Sequence, residues 1–239
     1  GTHEPLKHRF LQHKDDATQN CIIVMGISGK PDQLLDIPTV KRDRVTVLKR
    51  FSGGGTVVLD PSSLWTTFIG RTAHFPDVES YPTSIMRWSA DAIFGPSFRC
   101  MNASTSSSDT PEFQLRENDY VLGPRKMGGN AQSIIKGGWL HHTSFLWDYD
   151  QRNMEYLSLP SKRPDYRGDR SHDEFLVKLN QYYGTDSDVF FDCLRTTCEQ
   201  SFDVAEVSVA EAMEVVDGLG GMQQWFEKSR TRIVAPDDM

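Results

Sequence analysis

Four cysteines in 239 residues are too few for a disulfide-dense scaffold, and no Cys/His cluster among them has zinc spacing. Cys21, Cys100, Cys193 and Cys198 include no C-x-x-C pair. Their expected state is the reduced thiol of an intracellular protein. Cys193 and Cys198, five apart on one expected helix, do not share its face. No apolar run approaches the roughly 18 residues of a membrane helix, and the opening GTHEPLKHRF is too polar to suggest a signal peptide. The expected setting is cytoplasm, or a mitochondrion or plastid, with no membrane partner. Positive charge is also short. Lys and Arg number 26 against 33 Asp and Glu, a net charge of −7 that argues against a general nucleic-acid binder but leaves room for a locally basic pocket. Neither phosphate-loop consensus occurs, G-x-x-x-x-G-K-[ST] or G-x-G-x-x-G. There is no internal repeat and no charge run long enough to be a tail.

What is present reads as an α+β protein, mainly antiparallel sheet packed with helices, in a length that suits one large domain. Residues 1–20 are polar and carry no firm element. CIIVMGI (21–27) reads as a buried strand closed by the turn SGKPD. RVTVLKRF (44–51), TVVLD (56–60) and LWTTFIG (64–70) read as further, closely connected and antiparallel strands. SIMRWSADAIF (84–94) has helical spacing. The Ser/Thr-rich NASTSSSDTPE (102–112) reads as a surface loop. Residues 118–150 read as three strands punctuated by Gly-Pro and two Gly-Gly pairs. SHDEFLVKLNQYYG reads as a helix with Ser171 as N-cap and Glu174 completing a capping box. DSDVFFDCLRTTCEQSF reads as a second helix and VAEVSVAEA as a strand, a pattern that DGLGGMQQWFEKSR breaks before a polar tail.

Three stretches carry candidate chemistry. In KRFSGGGTVVLD (49–60), adjacent glycines free the backbone and expose a row of N–H groups suited to a phosphate or carboxylate, with Arg50 alongside as a bidentate cation. The bland alternative is a bulge that bends a sheet. In RKMGGNAQ (125–132), a basic pair again abuts glycines. Lys126 in a pocket would stabilise charge on a transferring group, whereas at random it would be a solvated lysine. In GGWLHHTSFLWD (137–148), His141 and His142 are adjacent and so face opposite sides of a strand, which argues against a metal pair.

The order of these motifs resembles the lipoate–protein ligase A family of the biotin/lipoate A/B protein ligase superfamily. That family's pattern is R-R-x-S-G-G-G-[AT]-V-[YF]-H-D, then R-K-[IV]-[SG]-G-[SN]-A-[YQ], then H-H-G-[ST]-L-L. IIVMGISGKP and YLSLPSKRPDYRGDRSHDEFL resemble the segments before and after. The resemblance implies a biotin/lipoyl-ligase-like catalytic domain over 1–239 without a C-terminal accessory domain. It implies activation of lipoate with ATP and Mg²⁺ to lipoyl-AMP, and transfer to a lysine of a lipoyl-carrier domain, as in 2-oxoacid dehydrogenase complexes or the glycine-cleavage H protein. By position, Arg50, Ser52, Gly53, Gly54, Gly55, Thr56, Val57 and Val58 would hold the nucleotide and adenylate. Lys126 would be the catalytic contact to acyl carbonyl and phosphate. Gly128, Gly129, Asn130 and His142 would line the acyl pocket, and no residue is expected to form a metal cluster.

Three positions depart from the pattern: Leu59 for its His, Lys49 for the first Arg and Thr143 for the Gly after the histidines. Together with the short C-terminal portion they keep two further readings open. One is a homologue that needs a separate accessory partner for adenylation or only transfers a preformed adenylate. The other is a non-catalytic lipoate- or adenylate-binding homologue. Octanoyl transfer through a cysteine thioester is the remaining alternative, with Cys100, Cys193 or Cys198 as nucleophile. The biotin-ligase signature G-R-G-R-x-G-R is absent.

Overall fold

A computed structural model of the chain describes residues 21–105, 109–158 and 164–239. The expectations for residues 1–20, and parts of the 102–112 loop and of the segment after the histidines, lie outside these described residues.

Two sheets build the fold. The first has the order β3-β1-β2-β9, from β1 (Ile22–Met25), β2 (Thr46–Lys49), β3 (Val57–Leu59) and β9 (Arg232–Ile233). The second has the order β4-β8-β7-β6-β5, from β4 (Ser63–Arg71), β5 (Phe113–Arg116), β6 (Asp119–Leu122), β7 (Arg125–Ile135) and β8 (Gly138–Leu146). The expectation of an all-antiparallel run from 21 to 70 is corrected. β1 and β2 pair in parallel, because α1 (Pro31–Leu34) and α2 (Ile37–Arg42) form a crossover between them. β3 then joins β1 while β4 starts the second sheet, so the PSS turn passes the chain from one sheet to the other.

Helix α3 (Pro82–Trp88) runs through a π-helical turn (Ser89–Phe94) into α4 (Gly95–Ser104). The helical spacing expected over 84–94 is exceeded, because the helix continues through Gly95 and Pro96 to Ser104. The wide turn, with Gly95 N–H donating to Ala90 O, accommodates Pro96, which has no N–H to contribute. Beyond β8, α5 (His172–Phe175) and α6 (Asn180–Tyr183) are single turns rather than the one helix expected. The Ser171–Glu174 capping box forms as read. Leu176, Val177 and Leu179 between them are all buried. Side chains buried in immediate succession need cover on several sides, which extended chain slotted between elements provides. Val177 N–H donates to Lys126 O (2.9 Å) and Leu179 N–H to Leu146 O (2.8 Å).

Helix α7 (Asp188–Ser201) follows as expected. The expected strand VAEVSVAEA is instead irregular chain as far as the N-cap Ser208 and then the start of α8 (Val209–Gly218), whose N-terminus is fixed by a capping box of Ser208 and Glu211, and α9 (Gly221–Lys228) follows.

One core fills the space between the second sheet and helices α3, α4 and α7: Leu64, Tyr120 and Phe145 meet Phe94, Phe98 and Phe190. Each such buried side chain contributes about 1.5–3 kcal/mol. The second core packs Ile23, Met25, Val47 and Val58 of the first sheet against Val40, Met154 and Phe175. Within the first core, Cys100 of α4 is disulfide-bonded to Cys193 of α7. The expectation of four reduced thiols is thereby corrected. Helix packing brings the two Cα atoms to 5.7 Å across 93 residues of sequence, a proximity that spacing alone does not reveal.

Candidate functional site

The glycine loop lies over one face of β7. Gly53 N–H donates to Gln132 O (2.9 Å) and Ile27 N–H to Ser52 O (3.0 Å), so the loop ties the two sheets together. Its three glycines serve different ends. Gly54 has φ +117, and a Cβ there would sit 2.7 Å from Asn130 O and 3.0 Å from Ala131 Cα. A side chain at Gly26 would collide with the Gly54 carbonyl oxygen. These two glycines are demanded by close backbone approach. Gly55 is not: its φ is outside the positive range and nothing lies within 4 Å of a Cβ there. Beside it, the Thr56 hydroxyl is buried with no hydrogen-bond partner among the described residues.

Arg50 organises the loop from within. Its guanidinium donates to Ser52 Oγ (3.1 Å), Val24 O (3.2 Å), Gly53 O (3.3 Å) and Gly55 O (2.8 Å). Burial lowers its pKa to about 10, still well above neutrality. These bonds go to a hydroxyl and three carbonyls, and among the described residues no carboxylate is paired with this cation beside the exposed Gly54 and Gly55.

Lys126 reaches the same place through an irregularity. Val121 pairs with Lys126 but Tyr120 pairs with Gly128, leaving Met127 as an extra residue in β7. Without that bulge Lys126 and Gly129, three apart, would point to opposite faces. With it, both lie on the face of Asp119, and a Cβ at Gly129 would touch Lys126 Nζ (3.6 Å) and Val57 Cγ1 (3.8 Å). Lys126 Nζ is ion-paired with Asp119 Oδ1 at 2.7 Å, and Tyr166 donates to Asp119 Oδ2 at 2.9 Å. Asp119 is buried while Lys126 keeps about a quarter of its side chain exposed, so the amine is fixed on the protein side and open on the other.

The two histidines part as strand alternation requires. His142 faces the loop: its Nδ1 is 2.8 Å from Thr67 Oγ1, Phe51 meets it edge-on, and burial and then the Arg50 charge lower its pKa. His141 is fully buried on the helix-packed face. Its Nδ1 is 2.9 Å from Gln132 Nε2, and its Nε2 is 3.2 Å from Ser89, Tyr120 and Thr143 hydroxyls. Burial, and then the neighbouring His142, push its pKa down to about 4, so the ring is neutral at pH 7.

Of the residues singled out in the sequence, Arg50, Ser52, Gly53, Gly54, Gly55, Val57, Lys126, Gly129 and His142 gather around this one face of β7. Gly128 and Asn130 do not. They pair with Phe145 and Thr143 and so share the face packed by helices. There Asn130 accepts from Thr143 Oγ1 (2.9 Å) and donates to Asn118 O (3.1 Å). Thr56 and Val58 continue the loop into β3, where Val58 enters the second core and the departing Leu59 is buried opposite Ile22. Asp119 and Tyr166 escaped the sequence reading. A carboxylate inside the β-rich run NDYVL, where charge is costly to bury, was the available signal for the first. Tyr166 reaches it only through the tertiary fold. Among the described residues no three His, Cys, Asp or Glu side chains gather to hold a metal.

Two relatives in sequence can now be set beside this site. A relative from Plasmodium falciparum, "Inactive lipoate–protein ligase 2", is 30% identical over 180 residues, 66% of this chain and 47% of that protein. "Lipoate-protein ligase A subunit 1" of Thermoplasma acidophilum is 23% identical over 160 residues, 66% of this chain and 55% of its own. The chain thus spans about half the length of these relatives. Among solved structures, a lipoate-protein ligase A bound with ATP shares the fold at TM-score 0.65 and 18% identity, covering 87% of this chain and 78% of that one. A bi-partite lipoate protein ligase of T. acidophilum, described with its E2 lipoyl domain, does so at TM-score 0.65 and 18% identity, covering 88% and 78%. The sequence pattern of the lipoyl protein ligase A/B catalytic domain matches residues 16–203. With most of its length and both halves of its site inside that match, the chain belongs to the lipoyl protein ligase A/B catalytic-domain family.

Proposed function

We propose that the chain works as a lipoate–protein ligase or lipoyltransferase, holding lipoate and the α-phosphate of ATP between the glycine loop and Lys126. The observation that carries this reading is the meeting of Lys126 Nζ, Gly129 and Val57 at one point beside the loop. The carboxylate oxygen of lipoate attacks the α-phosphorus, the bond to the β-phosphate breaks, and pyrophosphate leaves. A carrier lysine amine then attacks the acyl carbon, AMP departs with the electron pair, and the amine proton passes to solvent. Negative charge builds on phosphate and then acyl oxygens, and a cation already anchored by Asp119 stabilises it without reorganising. Gly55 supports the nucleotide part, since none of the described residues requires a glycine there, and so does the Thr56 hydroxyl, unpartnered among the described residues. Mg²⁺ would arrive on the nucleotide's phosphates and neutralise part of their charge, a mode that needs only one or two protein carboxylates.

Cysteine chemistry has little to work with. Cys100 and Cys193 have no free thiol, burial pushes Cys21 up to about 11, and it raises Cys198 as well, so none is an activated thiolate for octanoyl transfer. The partner of the transfer half is a lipoyl-carrier domain. The two-part build of the T. acidophilum enzyme supports a separate accessory subunit for the adenylation half.

The test is to weigh an apo lipoyl domain after incubation with ATP and lipoate, and in a second arm with lipoyl-AMP. Lipoyl mass is expected in at least the second arm. Lys126→Ala should lower the rate at least a hundredfold with the fold intact by circular dichroism; an unchanged rate overturns its role. A second reading, binding without turnover, is favoured by the name of the P. falciparum relative and by Leu59 at the family's histidine position. It predicts thermal stabilisation by lipoate or its adenylate with no product in either arm.

A further inference from the structure

Strand β9 sets Arg232 directly opposite Lys49 of β2, with Leu48 opposite Ile233 beside them and Val234 N–H donating to Val47 O (2.9 Å). Opposed residues of an antiparallel pair share a face at close range, and like charges in that position destabilise the pairing. The two cations border a cavity of about 440 Å³, lined also by Ile27, Ser229, Arg230 and Thr231. Among the described residues no carboxylate lines it, in a chain where acidic residues outnumber basic ones by 33 to 26. Lys49 Nζ is turned toward the 26–29 turn by its bond to Gly29 O (2.9 Å). Ile27, on the cavity wall, is bonded through its N–H to Ser52 O, so the cavity adjoins the glycine loop.

We propose that Lys49, Arg230 and Arg232 form a subsite for a multiply charged phosphate chain, the pyrophosphate end of a nucleotide whose α-phosphate sits at the glycine loop. The proposal rests on the nucleotide reading of that loop. It gives a bound anion the task of relieving the Lys49–Arg232 repulsion, and gives the last strand of the chain a part in the site. Two sources share the ligand chemistry, the β- and γ-phosphates of ATP and free inorganic pyrophosphate.

Calorimetric titration of the full chain with ATP, AMP and inorganic pyrophosphate separates them. Wild type should bind pyrophosphate, more weakly as salt rises. The double variant Arg230→Gln/Arg232→Gln should lose at least tenfold in affinity for pyrophosphate and for ATP while AMP binding is unchanged. Arg232→Glu should raise the melting temperature, by pairing with Lys49, while also losing pyrophosphate; a purely structural role would move both readouts in one direction. Absent pyrophosphate binding by wild type, equal binding by the double variant, or an equal loss for AMP each overturn the subsite. Pyrophosphate bound by wild type and lost in the double variant, with AMP never bound, upholds the subsite and sinks the nucleotide reading of the loop.

Discussion

Gly54 and Gly55 are chemically identical neighbours with separate reasons to exist. Alanine at Gly54 must adopt φ +117 and push against Asn130 O, so Gly54→Ala is expected to cost about 1–3 kcal/mol in urea unfolding. Alanine at Gly55 meets open space, so Gly55→Ala should leave stability within about 1 kcal/mol of wild type. Its methyl projects where the nucleotide is proposed to lie, and ATP affinity measured by calorimetry should fall about tenfold. Equal effects of the two substitutions on stability would contradict this division. From the string SGGG alone the division is illegible, because it depends on which glycine the backbone of β7 approaches. Lys126 was legible as a candidate from its neighbours RK and GG. Its buried partner Asp119 was not, because a bulge at Met127 decides that they share a face.

Among the elements, α4 and α7 are held together by the Cys100–Cys193 bridge and by Phe98 packed on Phe190. The bridge closes a long loop, so the variant Cys100→Ala/Cys193→Ala should lose about 2–4 kcal/mol of unfolding free energy against the oxidised protein. Both helices pack on the face of the second sheet turned away from the glycine loop, so ligand affinity should not change. An unaltered urea midpoint would show that the bridge contributes nothing to the fold. Strands were readable wherever alternation or a β-rich run was clean, as in 44–51 and 64–70. The failures have specific causes. In α8 the valines suggested a strand, while Ser208 and Glu211, spaced as a capping box, carried the contrary signal. In the 171–184 segment the helical capping box was real, but consecutive burial of Leu176 and Val177 drew the chain out straight.

At the scale of the whole molecule, His141 couples stability to pH. Its folded pKa of about 4 lies below the ordinary 6.5, so the unfolded chain takes up a proton that the folded one refuses. The stabilisation is complete above about pH 6.5 and is lost as pH falls toward 4. This group alone should remove on the order of 3 kcal/mol between pH 7 and 4. Urea unfolding at stepped pH should show that decline, and His141→Gln should flatten it; an equal slope in the variant would assign the effect to other groups. The sequence by itself determined the family, the α+β class and which segments carry the chemistry, because ordered short motifs and local periodicity survive without tertiary contacts. Only the tertiary structure decided that the sheet is two sheets, that Cys100 meets Cys193, that Lys126 leans on Asp119 and that β9 returns to Lys49. Each of those is a contact between residues far apart in the chain, and nothing local encodes the distance between them.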